Sequence, residues 1–205
     1  APTEDSADRP QAIVHALLDR HGVVARPTVA SEQSAGGFSE LYPTLATWES
    51  AGRCRRGYFV AGLGGAQFAS ASAVRALREA SRRHGATQAL VLAAADPANP
   101  YGAALPWPKD AGRATRRPGA FVVLVDGVPL LYIERGGRTA SLIGDPTEDA
   151  VRIAAAALAE AARKQRTGRL HLQHLNGRPI WATEAGEILR EAGFLPTPQG
   201  LRLPA

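Results

Sequence analysis

The 205-residue sequence predicts an α+β protein with a helical front, a run of antiparallel strands and a mixed tail. Three observations predict it. Apolar residues recur at helical spacing near the start, as Ile13, Val14, Leu17 and Leu18 and again as Leu41, Leu45 and Trp48. Alternating segments follow, separated by Gly62-Leu63-Gly64-Gly65, Asp126-Gly127 and Arg135-Gly136-Gly137, glycine-bearing turns of the kind that join antiparallel strands. An alanine-rich stretch, Thr147–Arg166, then reads as a long helix before a short α/β ending.

Each element has a local reason. Gln11–Arg20 is the first helix, and Gly22 behind His21 serves as its C-cap. Val23-Val24 is a short extended piece, Pro27-Thr28 opens a brief helix through about Gln33, and Gly36-Gly37 turns the chain. A third helix, Ser39–Ser50, ends at Gly52. Arg53–Ala61 and Ala66–Ala69 pair as a hairpin with a glycine-rich tip, and Ser70–Arg83 is a fourth helix. Val74 and Leu77 are expected inward on it, with Arg75, Arg78, Arg82 and Arg83 outward. Three short helices and a β-hairpin form the plan of a winged helix, a helix-turn-helix variant. Beyond it, Ala89–Ala95, Gly119–Val125, Val128–Glu134 and Arg138–Ile143 read as strands of a small antiparallel β-barrel. The tail adds a strand at Arg169–Leu175, an Asn176-Gly177 turn, Pro179–Trp181, a helix at Thr183–Ala192 and an end piece at Gly200–Leu203. The expected domains are 1–84 (winged helix), 85–145 (barrel-like sheet with a long Pro/Arg loop) and 146–205 (helix plus α/β tail).

Charge is concentrated rather than spread. Only Lys109 and Lys164 among the 24 cationic residues are lysines, and the net charge is +5. Residues 1–50 carry 3 basic and 7 acidic side chains, residues 51–117 carry 11 and 3, and residues 118–205 carry 10 and 9. The middle third holds the whole basic excess, so a polyanion should meet the chain there. Arg53, Arg55 and Arg56 stand beside the glycine-rich tip, where backbone without Cβ atoms can approach a sugar–phosphate chain closely. The third helix carries Glu40 and Glu49 and no Arg, Lys, Asn or Gln, so it lacks the side chains that read base edges. Backbone contact by the wing is expected, and sequence-specific readout is not. The loop with Pro97, Pro100, Pro106 and Pro108 runs into Lys109, Arg113, Arg116 and Arg117, and its Tyr101 and Trp107 offer stacking faces for unpaired bases. The alternative for both rings, and the better one for Trp107, is that they pin the loop to the core.

Several chemistries are excluded or weak. No G-x-x-x-x-G-K-[ST] occurs, so these residues cannot hydrolyse ATP by a phosphate loop. The single Cys54 builds no internal disulfide or cysteine metal site, and the five histidines lack ligand spacing. No G-x-S-x-G elbow is present. There is no apolar run long enough for a membrane span and no secretory leader pattern, so a cytoplasmic protein without membrane contact is expected. The absence of Met makes a piece of a longer chain the expectation. Asp96, at the end of an apolar strand, either caps a turn or supplies a carboxylate beside bound nucleic acid.

Longer strings carry a resemblance. Arg55-Arg56-Gly57-Tyr58-Phe59-Val60-Ala61-Gly62-Leu63-Gly64-Gly65-Ala66-Gln67-Phe68-Ala69, Asp96-Pro97-Ala98-Asn99-Pro100-Tyr101-Gly102, Leu105-Pro106-Trp107-Pro108 and Tyr132-Ile133-Glu134-Arg135-Gly136-Gly137-Arg138-Thr139 resemble the C-terminal region of the bacterial large helicase-related (Lhr) superfamily 2 helicases. The match extends to Gly193-Phe194 and Gly200-Leu201-Arg202. The resemblance implies a parent enzyme that uses ATP and Mg to translocate on single-stranded DNA and to unwind RNA–DNA hybrids. No cofactor is expected within these residues. It also implies winged helices and a β-barrel similar to winged-helix DNA glycosylases. Their glutamine motif has only a partial counterpart in Gln67-Phe68-Ala69, which lacks the third polar residue. The leading expectation is a non-catalytic module binding single-stranded or damaged DNA. A base-excision domain using Asp96 or Gln67, and a module for homo-oligomer assembly within the parent helicase, are the alternatives.

Overall fold

The computed structural model describes residues 4–34, 36–82 and 87–204, with the backbone alone for 4–8. Arg83 and His84, included in the sequence reading, lie outside the described residues. The chain divides into two compact units, Ala1–Gly85 with Ala103–Leu105, and Ala86–Gly102 with Pro106–Ala205.

The first unit follows the winged-helix plan. Helix α1 (Glu4–His21) buries Val14, Leu17 and Leu18, and begins earlier than the apolar spacing suggests, with Pro10 inside it. Strand β1 (Val23–Val24) leads to α2 (Arg26–Ser31), which carries a proline in its first turn, where a missing N–H costs no helical hydrogen bond. Helix α3 (Gly37–Ser50) places Phe38, Leu41, Leu45 and Trp48 in the core at spacings of 3, 4 and 3. The wing strands β2 (Arg55–Gly57) and β3 (Gln67–Ala69) pair antiparallel, and β1 adds to β3, giving a sheet of order β1-β3-β2. Phe68 packs beneath this sheet against Phe38 and Tyr42. Cys54 is buried in the same core, where burial and then the neighbouring Glu49 push its thiol pKa up. Helix α4 (Ala71–Arg82) buries Val74 alone; Leu77, expected inward, is exposed together with Arg75, Arg78 and Arg82.

The second unit is built on an open six-stranded sheet of order β10-β9-β7-β6-β5-β4. Its strands are β4 (Ala89–Ala93), β5 (Phe121–Val125), β6 (Val128–Ile133), β7 (Thr139–Leu142), β9 (His174–Leu175) and β10 (Arg178–Pro179). All neighbours are antiparallel except β7 and β9. The β5–β6 turn is Asp126-Gly127 and the β9–β10 turn is Asn176-Gly177, each with positive φ at both positions as the tightest hairpin turns require.

The expected closed barrel is not found: among the described residues no strand joins β4 to β10. The reason is that both faces are covered without closure. Helices α5 (Glu148–Arg163) and α6 (Glu184–Glu191) bury one face through Leu158, Ala154 and Ile188 against Val123, Leu131 and Ile133. Trp107, Ala111 and Ala114 of the long loop cover Tyr132, Ala120 and Ile143 on the other. A sheet covered on both faces has buried its apolar area and gains little by curling. The strands before residue 145 and α5 after it thus share one core.

The stretch read as one strand, Arg169–Leu175, is two. Strand β8 (His171–Leu172) pairs with β12 (Gly200–Arg202), itself paired with β11 (Leu195–Thr197), whereas β9 joins the large sheet. The small sheet needs a glycine at 200, because a Cβ there would lie 2.1 Å from the Leu172 carbonyl oxygen. A 3-10 turn, Ile180–Ala182, precedes α6, whose N-cap Thr183 accepts from the Gly186 N–H.

Candidate nucleic-acid interface

The wing is held by one buried side chain. Gln67, at 0% exposure, uses its whole amide: Oε1 accepts from the Phe59 N–H (3.0 Å) and the Val60 N–H (2.9 Å). Its Nε2 donates to the carbonyls of Val60 (3.0 Å) and Leu63 (2.9 Å). The side chain therefore substitutes for ladder bonds that the Gly-rich tip cannot make, and no polar capacity is left for a substrate. Its position is that of a scaffold for the tip.

The three wing arginines differ in freedom. Arg53 lays its guanidinium over the Trp48 ring, 3.7 Å from the centroid, which fixes the group while leaving its N–H donors at the rim. Arg56 donates to the Tyr42 hydroxyl (3.1 Å) and lies 3.6 Å from Glu49, so the acidic third helix partly neutralises it. Arg55 is exposed and has no side-chain partner among the described residues. Sequence reasoning missed Tyr58. It follows Gly57 at the end of β2, is 94% exposed, and makes no ring contact or hydrogen bond among the described residues. The available signal was an aromatic in an Arg-Arg-Gly-aromatic string beside the glycine tip. Arg56, Gly57, Tyr58, Gly65 and Ala66 line a groove of about 420 Å³.

In the second unit the loop residues divide likewise. Asp96 caps a turn, its Oδ1 accepting from the Ala98 N–H (2.8 Å), and Asn99 is fully buried, bonding the Ala94 carbonyl (2.8 Å) and the Tyr101 N–H (3.1 Å). Arg116 is half-buried and donates to the backbone carbonyls of Asn99, Ala95 (3.2 Å) and Asp96 (3.1 Å), so its charge ties the loop together. Tyr101 donates to the Gly127 carbonyl (2.9 Å), burial pushes its hydroxyl pKa up, and its ring lies 5.8 Å from Trp107. Trp107 also packs edge-on to Tyr132 at 5.8 Å, pinning the loop to the sheet. Lys109, Arg113 and Arg117 are exposed. A cavity of about 520 Å³ beside α6 carries Asp145, Glu148 and Glu184 against Arg178, a balance that repels phosphates. Among the described residues no group of three metal-ligating side chains occurs, and no helix is long and apolar enough to cross a membrane.

Helices, a three-stranded wing sheet and exposed wing cations define a winged-helix module followed by an α+β unit. Residues 3–89 match the family model of the large helicase-related protein winged-helix domain. The chain is 44% identical over 216 aligned positions to a Mycolicibacterium smegmatis protein named Lhr helicase/probable uracil glycosylase, covering 99% of this chain and 14% of that protein. It is 38% identical over 207 positions to the Escherichia coli Lhr helicase/uracil glycosylase, covering 98% of this chain and 13% of that one. Residues 3–89 therefore belong to the winged-helix domains of the Lhr C-terminal region, and the chain as a whole is related to the Lhr helicases. It spans about one seventh of the length of these relatives.

Proposed function

We propose that the chain is a nucleic-acid-binding module of an Lhr-type helicase that engages single-stranded or damaged DNA through its wing. One observation carries the reading: Arg53, Arg55 and Arg56 fall within a four-residue stretch leading to a tip whose Gly62, Gly64 and Gly65 have open space where a Cβ would be. Cations and bare backbone side by side suit a phosphate chain. Arg55 leads, being exposed and without a side-chain partner among the described residues; Arg53 and Arg56 are pre-positioned by Trp48, Tyr42 and Glu49. Lys109, Arg113 and Arg117 offer further phosphate contacts, with Arg116 holding their loop. ATP and Mg would serve a motor elsewhere in the whole protein, since no phosphate-loop signature occurs in these 205 residues.

Fluorescence anisotropy with a labelled single-stranded oligonucleotide tests this. Replacing Arg53, Arg55 and Arg56 together with Ala should weaken binding at least tenfold at low salt; unchanged affinity removes the wing from the site.

A second reading is base excision, favoured by the words "uracil glycosylase" in the names of both relatives. Gln67 has no group to spare for it, which leaves Asp96, whose Oδ2 has no partner among the described residues. A carboxylate there would orient water toward the sugar of a flipped nucleotide. Abasic-site formation on a uracil-containing oligonucleotide at enzyme excess, lost in Asp96→Asn, is the expected result. Equal cleavage by the variant excludes Asp96.

A further inference from the structure

We propose that Tyr58 is a stacking platform for an unpaired nucleobase, gripping single-stranded nucleic acid where the wing arginines hold its phosphates. The inference deepens the wing-binding reading and rests on it.

Four tyrosines occur in the chain, and three are engaged. Tyr42 packs on Phe38 and Phe68 and accepts from Arg56; Tyr101 and Tyr132 flank Trp107 and donate to the carbonyls of Gly127 and Thr115. Tyr58 is 94% exposed, although burying such a ring is among the larger stabilising contributions open to a small domain. Its backbone is nevertheless anchored on both sides. Gly57 pairs with Gln67 across the wing, and the Phe59 N–H donates to the Gln67 side chain. A main chain hydrogen-bonded on both sides of an exposed ring is pre-organised for a ligand, which lowers ordering costs at binding.

The surroundings select the ligand. The ring borders the groove of about 420 Å³, whose other walls are Arg56, Gly57, Gly65 and Ala66. Gly57, Gly65 and Ala66 are small and leave room for a planar group to lie against the ring, and the groove is within the size range of small-molecule sites. Arg56, two residues before Tyr58, lines the same groove and places positive charge beside the ring as a nucleotide's base and phosphate require. Every nucleobase has a π-face, so stacking needs no sequence, in keeping with an α3 that lacks base-reading side chains. In a duplex those faces are already occupied by neighbouring bases, so the platform favours a single strand.

The test uses this chain and a single-stranded oligonucleotide carrying one 2-aminopurine, whose fluorescence falls when it stacks. Wild type should quench the signal on binding. Tyr58→Ala should abolish the quench and weaken binding about 5- to 150-fold, the range for one lost base–aromatic stack. Its log–log salt slope should stay unchanged, because no phosphate contact is removed. Tyr58→Phe should restore affinity and quench, and a blunt duplex should bind wild type and Tyr58→Ala alike. If Tyr58→Ala binds and quenches like wild type while Arg55→Ala weakens binding, the stacking role is wrong and the wing reading stands. If neither change affects binding, or wild type does not bind single strands, both fall. An equal loss on the blunt duplex overturns the preference for an unpaired base.

Discussion

Replacing Gln67 with Leu is the sharpest test of how the wing is held, because volume is nearly kept while four hydrogen bonds vanish. The four bonds span 2.9–3.0 Å and run to Phe59, Val60 and Leu63. At roughly 0.5–1.5 kcal/mol net for each bond, the gross loss is about 2–6 kcal/mol. Phe59, Val60 and Leu63 are only half-buried, so water can rescue some of the orphaned groups and the lower end of the range, about 2–3 kcal/mol, is expected. In a unit of this size that corresponds to a fall in Tm of about 10–20 °C. Thermal unfolding by circular dichroism reads the global effect, and amide hydrogen exchange at Phe59 and Val60 reads the local one. The wing amides should lose protection while β1 and the helices keep theirs, and oligonucleotide affinity should fall because the tip is no longer pre-formed. A Tm within about 2 °C of wild type, with Phe59 and Val60 still protected, would refute the assignment of Gln67 as the wing's scaffold.

Trp107→Ala should cost the second unit about 3–5 kcal/mol, read by denaturant unfolding, since it empties the space between Tyr101 and Tyr132. Gly102→Ala should act on the same cluster: φ is +74° and a Cβ would meet Trp107 Nε1 at 2.4 Å, so a loss of about 1–3 kcal/mol is expected. Arg116→Ala should lower stability by about 2–3 kcal/mol because three carbonyls lose their donor, whereas Arg113→Ala and Arg117→Ala should lower salt-dependent binding and leave unfolding midpoints unchanged. Glu32 is held below its ordinary carboxyl value, first by the His21 hydrogen bond and then by Arg20. A depressed acid stabilises the fold above its unfolded value near 4.5 and loses that contribution as pH falls through the lowered folded value, so Glu32→Gln should flatten the stability–pH curve there by about 0.5–1 kcal/mol.

The legible parts of the fold were those written in local pattern. Leu41, Leu45 and Trp48 mark the buried face of α3, and Asp126-Gly127 and Asn176-Gly177 specify turns whose left-handed geometry the structure shows. What was not legible depends on distant partners. The strand read through Arg169–Leu175 looks continuous, yet Gln173 is where the chain passes between two sheets, a switch set by β12 arriving at Leu172. Barrel closure failed as an expectation because alternation reports that a face is buried and not what buries it; here α5 and the Trp107 loop do so. The interface was legible as charge and illegible as freedom. Arg56 and Arg116 look equivalent to Arg55 and Arg113 in sequence, and only packing shows the first pair tied to Tyr42, Glu49 and backbone carbonyls. Tyr58 escaped notice because its significance is the absence of neighbours, which no local string records.

The central claim is that wing cations meet nucleic-acid phosphates, and a salt titration of single-stranded oligonucleotide binding tests it most directly. Affinity should fall linearly on a log–log plot, and Arg55→Ala should reduce the slope by about 0.7, the value for one phosphate contact on a single strand. A slope and affinity identical in wild type and in Arg55→Ala would contradict it.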